Sequence, residues 1–507
     1  MPLCSKSTSQ MKHLCLLIML VLDTCLLAGA QFIDEELYLE INLVTEPIVT
    51  ITPKTNNPQI TVSETDGLIS HSFNSSIIIS IRNPEPLVHY AVLDYTEIVT
   101  ETTDNLKEVV RDFFVWENSR LKIKKELQHY LPESFTTEEE ALQYAQKHNI
   151  PPKKIKEIPM LNSTIRIQDA SGNICYLETP VKIHSSAEIF VQEDDYAYSG
   201  DFILKTVQKD IILNHFLPLE HYLAGVVQNE IGNNAPVEAL KAQAVAARTH
   251  ALALLLNNKH KADGYDLCRT THCQVYKGKY LQNEQILQAV RNSASEVLLY
   301  NGNIADANYH SCCGGKTEAG DIIWKGKPID YLNGVNCLQE VQSYTLSQES
   351  DARKWIDKDI GWEDMSSWER GALTWHKSIS LKQLAKNAGL DYINSIEIIQ
   401  RGNSGRITEM KLSGNNPITL NSEYQIRQVF GNLLSSFFYI EGSYSANDGK
   451  VIIHPKATIN LKGRGAGHGV GMCQVGALRM AREGMDYNSI LRHYYPGTVI
   501  NKDWMDE

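Results

Sequence analysis

Residues 219–230 read LEHYLAGVVQNE, and residues 236–251 read PVEALKAQAVAARTHA after a short break. In the first stretch Leu219, Leu223, Val226 and Glu230 are four, three and four positions apart, which places them on one stripe of a helix. The second stretch carries apolar residues, many of them alanine, on a stripe of its own. The sequence therefore predicts two helices, each preceded by a proline.

Glu230 stands out because it is the acidic member of an otherwise apolar stripe. Gly232 follows as a natural helix stop, so Glu230 is expected at the negative end of the helix dipole. Partial burial and this position both favour a protonated carboxyl group, which is what a glycosidic leaving oxygen needs. The alternative is a structural glutamate that caps the helix or pairs with a nearby Arg or Lys.

A second unusual stretch lies near the end of the chain. Glycines alternate with other residues from Gly463 to Gly471, which predicts an extended segment with one face of bare backbone. Such a face allows a ligand or another backbone to approach closely. Arg464 and His468, on the other face, are candidates for holding a substrate. The spacing fits neither a dinucleotide-binding fingerprint nor a Walker loop.

Cysteines and histidines form two groups. Cys268 and Cys273 flank His272, and His310 lies close to Cys312 and Cys313 about forty residues later. Zn²⁺ takes tetrahedral sulfur and nitrogen ligands, so the groups could meet at a metal. Disulfides and a Cys313 nucleophile with His310 as its base remain alternatives.

The N-terminus predicts export. Lys12 and His13 precede the apolar run Leu14–Leu22, and LLAGA at 26–30 resembles a cleavage site for a signal peptide. We expect an exported protein of the periplasm or cell envelope, or a membrane-tethered one if the segment is not cleaved. Seven cysteines would remain after residues 1–30, an odd number that leaves at least one outside any intrachain disulfide.

Composition fits a globular protein of several parts, with 43% hydrophobic and 21% charged residues in 507. The net charge of −12 argues against a nucleic-acid partner. We expect an α+β fold in which a mixed catalytic domain follows a β-rich accessory region with a small α/β module. The expected divisions are a signal peptide at 1–30, the accessory region at 31–197, a first catalytic part at 198–345, an intervening α/β segment at 346–455 and a Gly-rich part at 456–507.

Local patterns support this order. Residues 31 to about 90 are rich in β-branched runs, and Lys107–Leu131 carries charged residues at helical spacing. Thr137 followed by Glu140 predicts a helix start. Strands are expected at Ile165–Gln168, Ile174–Glu178 and Ala187–Gln192, a hairpin at Phe202–Val207 and Ile211–Asn214, and a turn at 402–405.

Six ordered stretches then resemble the stage II sporulation protein D (SpoIID) family, which includes amidase enhancers of the LytB type. The resemblance runs from about residue 198 to 501. Its motifs are residues 219–230, 236–251, THCQVY at 271–276, SCCGGKT at 311–317, the middle segments at 401–406 and 426–427, and the Gly-rich stretch at 463–477 with HYYPGT at 493–498. Where the family often has Trp, this chain has Ala466 and Val475, and Cys473 replaces a usual Ser.

The resemblance implies a lytic transglycosylase that cleaves peptidoglycan glycan strands lacking stem peptides, with Glu230 as the catalytic residue. It also implies zinc held by Cys and His of the 268–273 segment. The candidate ligands are Cys268, His272 and Cys273, with His310 added on spacing. The candidate substrate-binding residues are Arg248, Gln274, Tyr276, Arg464, His468 and Gln474.

Two other functions compete with this one. The first is a non-catalytic enhancer that binds and activates a cell-wall amidase, with an amidase or division proteins as partners. The second is a zinc or cysteine peptidase that uses the Cys/His groups.

Overall fold

The structure is a computed structural model that describes residues 31–33, 36–55, 59–64, 67, 69–82, 88–99, 109–117, 120–135, 137–159, 164–207, 209–278, 283–360, 364–442, 445–447, 450–454 and 457–504. They form a mixed α+β fold, which confirms the predicted class. Contacts divide the chain into two compact units, the first drawn from Met1–Asn229, Ala251–Gln282 and Asp503–Glu507, the second from Glu230–His250 and Asn283–Lys502. The predicted signal peptide lies outside the described residues, and the finer domain divisions stay predictions.

The first unit is mainly β-structure. Its strands are β1 (Gln31–Ile33), β2 (Glu36–Glu46), β3 (Ile48–Pro53), β4 (Ile60–Glu64), β5 (Ser70–Phe73), β6 (Ile77–Ile81), β7 (Val88–Val99), β8 (Val109–Glu117), β9 (Arg120–Phe135), β10 (Ile155–Pro159), β11 (Thr164–Asp169), β12 (Ile174–Glu178), β13 (Val181–Val191), β14 (Ala197–Val207), β15 (Asp210–Pro218) and β16 (Leu267–Cys268).

Most of these strands share one large sheet in the order β1-β2-β15-β14-β13-β3-β6-β11-β12, with β4 beside β13, β5 beside β4, and β16 beside β2. Alternating side chains supply its core, as in β4, where Ile60 and Val62 are fully buried. The predicted hairpin is present, since β14 and β15 pair antiparallel with Val207 opposite Asp210.

The second sheet of this unit corrects one sequence expectation. The helical charge spacing of Lys107–Leu131 does not give a helix, because β8 and β9 pair antiparallel there in the sheet β10-β7-β9-β8. The run VVRDFFVWE in β8 is β-branched and aromatic, which favours a strand once a partner is available. Thr137 does cap the predicted helix α1 (Glu138–Lys147), since its side chain accepts the Glu140 N–H.

The two helices predicted from the opening stretches are present. They are α2 (Leu219–Ile231) and α3 (Val237–Leu256), and each contains a boundary between the units. Gly232 has a φ of +90°, the left-handed conformation that ends helices at glycine. Among the described residues, no helix is both long and apolar enough to cross a membrane.

The second unit alternates helices and short sheets. Its helices are α4 (Glu284–Asn292), α5 (Gly320–Trp324), α6 (Glu349–Asp357), α7 (Ser367–Leu373), α8 (Leu381–Asn387), α9 (Glu423–Val429), α10 (Gln474–Arg482) and α11 (Tyr487–Tyr494). Its strands are β17 (Val297–Tyr300), β18 (Asn303–Ile304), β19 (Tyr309–His310), β20 (Thr374–Ser380), β21 (Ile393–Arg401), β22 (Ile407–Gly414), β23 (Ile418–Leu420), β24 (Phe438–Ile440), β25 (Ser445–Asn447), β26 (Lys450–Ile453), β27 (Thr458–Arg464), β28 (Met472–Cys473) and β29 (Val499–Asn501).

These strands form small sheets ordered β18-β17-β29, β19-β28, β20-β27-β24 and β23-β22-β21-β26-β25. The predicted turn at 402–405 joins β21 to β22, where the Gly405 N–H donates to the Gly402 carbonyl at 3.0 Å. One hydrophobic cluster of this unit contains Val245 of α3, Val475 of α10 and Leu491 of α11. That cluster packs α3, α10 and α11 against one another.

Candidate active site and metal centre

Glu230 lies in the last turn of α2 and is half-buried. Its Oε2 atom accepts a hydrogen bond from Nε2 of Gln474 at 3.2 Å. Gln474 is the first residue of α10 and is only 1% exposed. The glutamate predicted as catalytic therefore has its carboxyl group held by a residue of the C-terminal motif.

Gln474 also contacts α3. Its Nε2 atom lies 3.3 Å from Oε1 of Gln243, which is fully buried on that helix. A buried amide that is bonded on two sides has one preferred orientation, so the side chain presents its N–H groups toward Glu230. Glu230, Gln243 and Gln474 come from three separate motifs, and the Gln474 amide links them by contacting both of the other side chains.

The Gly-rich segment differs from the predicted extended strand. β27 ends at Arg464, and the glycines at 465, 467, 469 and 471 all have φ between 71° and 89°. A Cβ on Gly467 would lie 2.9 Å from Cβ of His310, and one on Gly471 would lie 1.8 Å from the Asn308 carbonyl oxygen. The bare face of the segment thus accommodates the neighbouring backbone near residues 308–313, one of the two expected uses of such a face.

The two side chains of this segment that were proposed to hold a substrate make internal contacts. The Arg464 guanidinium is 2% exposed, lies 5.6 Å from the Trp355 ring and donates to the Ile356 carbonyl at 3.1 Å. His468 donates from Nε2 to the Tyr309 carbonyl at 2.9 Å and accepts the Val470 N–H at Nδ1. Since both ring nitrogens are occupied, the described contacts of His468 are structural.

Three further candidates are also buried. Arg248 is fully buried on α3 and donates to the Glu296 carbonyl at 3.0 Å. In the first unit, Gln274 and Tyr276 are each 1% exposed, and the Tyr276 hydroxyl lies 2.9 Å from Nδ1 of His215. Burial makes these three residues supports of the fold, so direct substrate contact stays a prediction for them.

In the first unit His260, Cys268, His272 and Cys273 form a group that we call the His260 cluster. Their ligand atoms lie within 4.8 Å of one another. The Cys273 sulfur is 3.3 Å from Nε2 of His260, and the Cys268 sulfur is 3.7 Å from Nδ1 of His272. Ligands on a tetrahedral zinc ion are about 3.6 Å apart for typical Zn–S and Zn–N bonds, so the group fits that ion.

Neighbouring groups orient the His260 cluster. Nδ1 of His260 lies 2.9 Å from the Asp263 carboxylate, which directs Nε2 toward the sulfurs. Cys268 lies on β16, which pairs with β2 at Asn42. A hydrogen bond between the two side chains lowers the pKa of Cys268 and raises the pKa of Cys273. One sulfur is therefore already inclined to be a thiolate.

The structure groups the proposed ligands differently from the sequence prediction. Three of the four proposed residues lie together with His260, whereas His310 lies in a different group with Cys313 and Cys473 in the second unit, so the ligand set stays a prediction. Nothing in the Cys268-x4-Cys273 spacing indicated a histidine eight positions before Cys268. The nearby end of α3, where the chain turns back toward β16, brings His260 to the sulfurs.

The His310 group gives little support to a cysteine peptidase. Cys313 is 2% exposed, and burial raises the pKa of its thiol well above the ordinary value. Nδ1 of His310 contacts the Val470 carbonyl at 3.0 Å, which leaves Nε2 near the buried sulfurs of Cys313 and Cys473. A catalytic cysteine needs an accessible thiol of lowered pKa, and Cys313 has neither property.

Comparisons with known proteins agree with the motifs. Residues 208–300 match the family described as stage II sporulation protein, and residues 318–471 match a domain of unknown function. The amidase enhancer of Bacillus subtilis is 29% identical over 302 residues, 55% of this chain and 40% of the relative. Stage II sporulation protein D of the same organism is 28% identical over 307 residues, 56% of this chain and 75% of the relative.

An uncharacterised protein of Brachyspira hyodysenteriae is 29% identical over 330 residues, which cover 63% of this chain and 78% of the relative. Fold and site together define an α+β protein in which the C-terminal Gly-rich motif contacts a half-buried glutamate at the end of α2. Residues 208–300 thus resemble the stage II sporulation protein family, and the chain is similar to stage II sporulation protein D and to an amidase enhancer over slightly more than half of its length.

Proposed function

We propose that this protein is an exported lytic transglycosylase that cleaves denuded peptidoglycan glycan strands during cell-wall remodelling at division or differentiation. The observation that carries the proposal is the hydrogen bond from Gln474 to the half-buried Glu230 carboxyl group. Similarity to these proteins supports the cell-wall setting, because the relatives are named for sporulation and for amidase enhancement.

In the proposed mechanism Glu230 acts twice. Its carboxyl group first protonates the bridging glycosidic oxygen, so the bond to the sugar breaks and the leaving chain departs as an alcohol. The resulting carboxylate then takes the proton from the 6-hydroxyl of the same sugar, whose oxygen attacks the anomeric carbon. The ring closes as a 1,6-anhydro sugar without an external water, so a second catalytic carboxylate of the usual glycosidase pair is not required.

Gln474 has a positioning role in this scheme. Its amide N–H donates to Oε2 in the ionised state of Glu230 and holds the carboxyl plane fixed through both proton transfers. Because Gln474 is neutral, it cannot exchange protons with the substrate itself. Its contribution is therefore orientation of the group that does.

The His260 cluster would hold zinc in a structural role. Its four ligands fill a tetrahedral set, which leaves no open position for a substrate or a reactive water. Bound metal would join the end of α3 to β16 and so fix the loop that carries residues 271–276. The chemistry supplied there is cross-linking of the chain, and the proton transfers belong to Glu230.

The proposal is tested by asking whether the new chain end formed on cleavage contains an oxygen atom from water. Purified protein is incubated with denuded glycan strands in ¹⁸O-labelled water, and products are analysed by mass spectrometry. The proposal predicts anhydro-muramyl ends that contain no label. Reducing ends that carry ¹⁸O would show hydrolysis and overturn it, as would unchanged strands after incubation with soluble, folded protein.

A second candidate is supported by the amidase-enhancer relative, namely that this chain activates a cell-wall amidase without cleaving glycan itself. Intact peptidoglycan is treated with a cell-wall amidase alone and with added protein. Faster release of stem peptides by both wild type and Glu230→Gln, with no anhydro ends, would favour the enhancer. Anhydro ends that depend on Glu230 would favour the transglycosylase.

A further inference from the structure

The second unit contains another group of buried sulfur and nitrogen atoms, formed by His310, Cys313 and Cys473, which we call the Cys473 cluster. β19 and β28 pair in parallel with His310 opposite Cys473, so the two side chains lie side by side on one face. The three ligand atoms lie within 4.8 Å of one another. The residues are 4%, 2% and 1% exposed, so the group is shielded from bulk solvent.

The imidazole of His310 is oriented toward binding. Nδ1 lies 3.0 Å from the Val470 carbonyl, and since a carbonyl only accepts, Nδ1 carries the proton. Nε2 therefore holds a lone pair, and no described nitrogen or oxygen donates to it although the atom is fully buried; its neighbour is the Cys473 thiol. An unpaired buried acceptor is costly, which indicates that a partner normally occupies this position.

The sulfurs receive backbone donors. The Cys473 sulfur accepts the N–H groups of Cys313 at 3.2 Å and Gly476 at 3.3 Å, and the Cys313 sulfur accepts the Gly315 N–H at 3.2 Å. Buried thiols that act only as small apolar groups need no such donors. N–H groups aimed at a sulfur offset part of the cost of burying a thiolate, which is the form that binds metal ions.

Cys337 lies beside this group. Its thiol forms side-chain hydrogen bonds with Cys313 and Cys473 and lies 3.2 Å from the Tyr494 hydroxyl, while its backbone N–H donates to the Gly315 carbonyl at 2.9 Å. The Cys337 sulfur is not one of the three ligand atoms that all lie within 4.8 Å of one another, so it would have to move toward them to share an ion. We propose that His310, Cys313, Cys337 and Cys473 bind a second structural zinc ion. Three thiolates and one imidazole are a common tetrahedral set for zinc, and complete burial suits a closed site.

Metal at this position would act on the candidate active site, a consequence that rests on the proposed function. Cys473 directly precedes Gln474, whose side chain contacts Glu230. Ligation of Cys473 would hold the first turn of α10 in place. Zinc binding by the Cys473 cluster does not depend on any enzymatic activity of the protein.

Metal content tests the claim on the full chain. Wild type, purified in reducing buffer with added zinc and then dialysed, should contain about two zinc ions per chain by elemental mass spectrometry. Cys473→Ser and His310→Asn should each contain about one, as should Cys268→Ser through loss of the other site. Cys175→Ser, which removes a buried cysteine outside both clusters, should keep both ions.

A wild type with one zinc ion that Cys268→Ser removes and Cys473→Ser retains would overturn the second site. Cobalt substitution checks the ligands: thiolate-to-cobalt absorption should decrease in Cys473→Ser and in Cys268→Ser but not in Cys175→Ser. Glu230→Gln should keep the full metal content, so failure of the proposed catalysis would leave this result unchanged.

Disulfide formation is the competing outcome. Protein denatured with a chelator but without reductant is alkylated and digested, and the peptides containing Cys313, Cys337 and Cys473 are identified. Alkylation of all three supports the metal site. A disulfide between any two of them in the purified protein would contradict it.

Discussion

Nε2 of Gln474 donates a hydrogen bond to Oε2 of Glu230 at 3.2 Å, although the two residues are 244 positions apart. The contact joins the end of α2 to the beginning of α10. It gives a sequence motif near the C-terminus a physical function, which is to orient the carboxyl group proposed to carry out catalysis.

Replacement of Gln474 by Leu should lower the rate of glycan cleavage about 10- to 100-fold, because a hydrogen bond to a charged group contributes roughly 1.5–3 kcal/mol. Gln243→Leu is the matched control, since it removes the other partner of Gln474 and leaves the bond to Glu230. Rates measured on denuded strands should fall less in this control. Equal rates for Gln474→Leu and wild type would show that the contact has no role in cleavage.

Removal of metal from the His260 cluster should destabilise the first unit. Ligand binding adds about 2.7 kcal/mol at a concentration 100 times the Kd, so a chelator should lower the melting temperature. His260→Asn should lower zinc content and show a smaller chelator effect, whereas His250→Asn, which alters a histidine outside both clusters, should behave as wild type. Unchanged zinc content in His260→Asn would show that His260 is not a zinc ligand and that another residue fills the fourth position.

Acid should destabilise the protein through His215. Burial lowers the pKa of His215 to about 4, and its two ring nitrogens contact the Ser199 carbonyl and the Tyr276 hydroxyl. Between about pH 6.5 and 4 the unfolded state therefore binds the extra proton, so stability is present above that range and falls as the pH decreases.

The lost free energy of unfolding approaches about 3 kcal/mol for this shift. Urea unfolding at pH 7 and pH 4.5 measures it. His215→Gln should reduce the difference between the two pH values, while His184→Gln, at an exposed position, should leave it unchanged. If both variants retain the full pH difference, His215 is not its source.

Gly469→Ala should destabilise the second unit more than Gly484→Ala. Both glycines have a φ of +88°, so alanine costs roughly 1–2 kcal/mol at either position. A Cβ on Gly469 would also lie 2.3 Å from Cζ of Arg406, whereas one on Gly484 meets nothing within 4 Å. Thermal unfolding should therefore show the larger loss for Gly469→Ala, and equal losses would contradict the close packing of Arg406.

Local sequence signals predicted local structure well. Thr137 capping Glu140, the hairpin of β14 and β15, and the stop at Gly232 each depend on residues close in sequence. The helix prediction for Lys107–Leu131 was wrong because strand pairing in the sheet outweighs the helical spacing of charged residues.

Long-range arrangements could not be read in the same way. Cys313 and Cys473 are 160 positions apart and meet only because β19 pairs with β28. His260 joins Cys268 through a turn after α3, and Arg248 is buried because Glu296 offers a carbonyl inside the second unit. These contacts depend on tertiary packing, which residue spacing does not encode.

The most direct test compares Glu230→Gln with Glu220→Gln, an isosteric change in the first turn of the same helix. Formation of anhydro-muramyl ends from denuded strands is measured by mass spectrometry. Loss of the acid should reduce the rate roughly 10²- to 10⁴-fold in Glu230→Gln, while Glu220→Gln cleaves at the wild-type rate. Cleavage by Glu230→Gln at the wild-type rate would contradict the assignment of Glu230 as the catalytic acid.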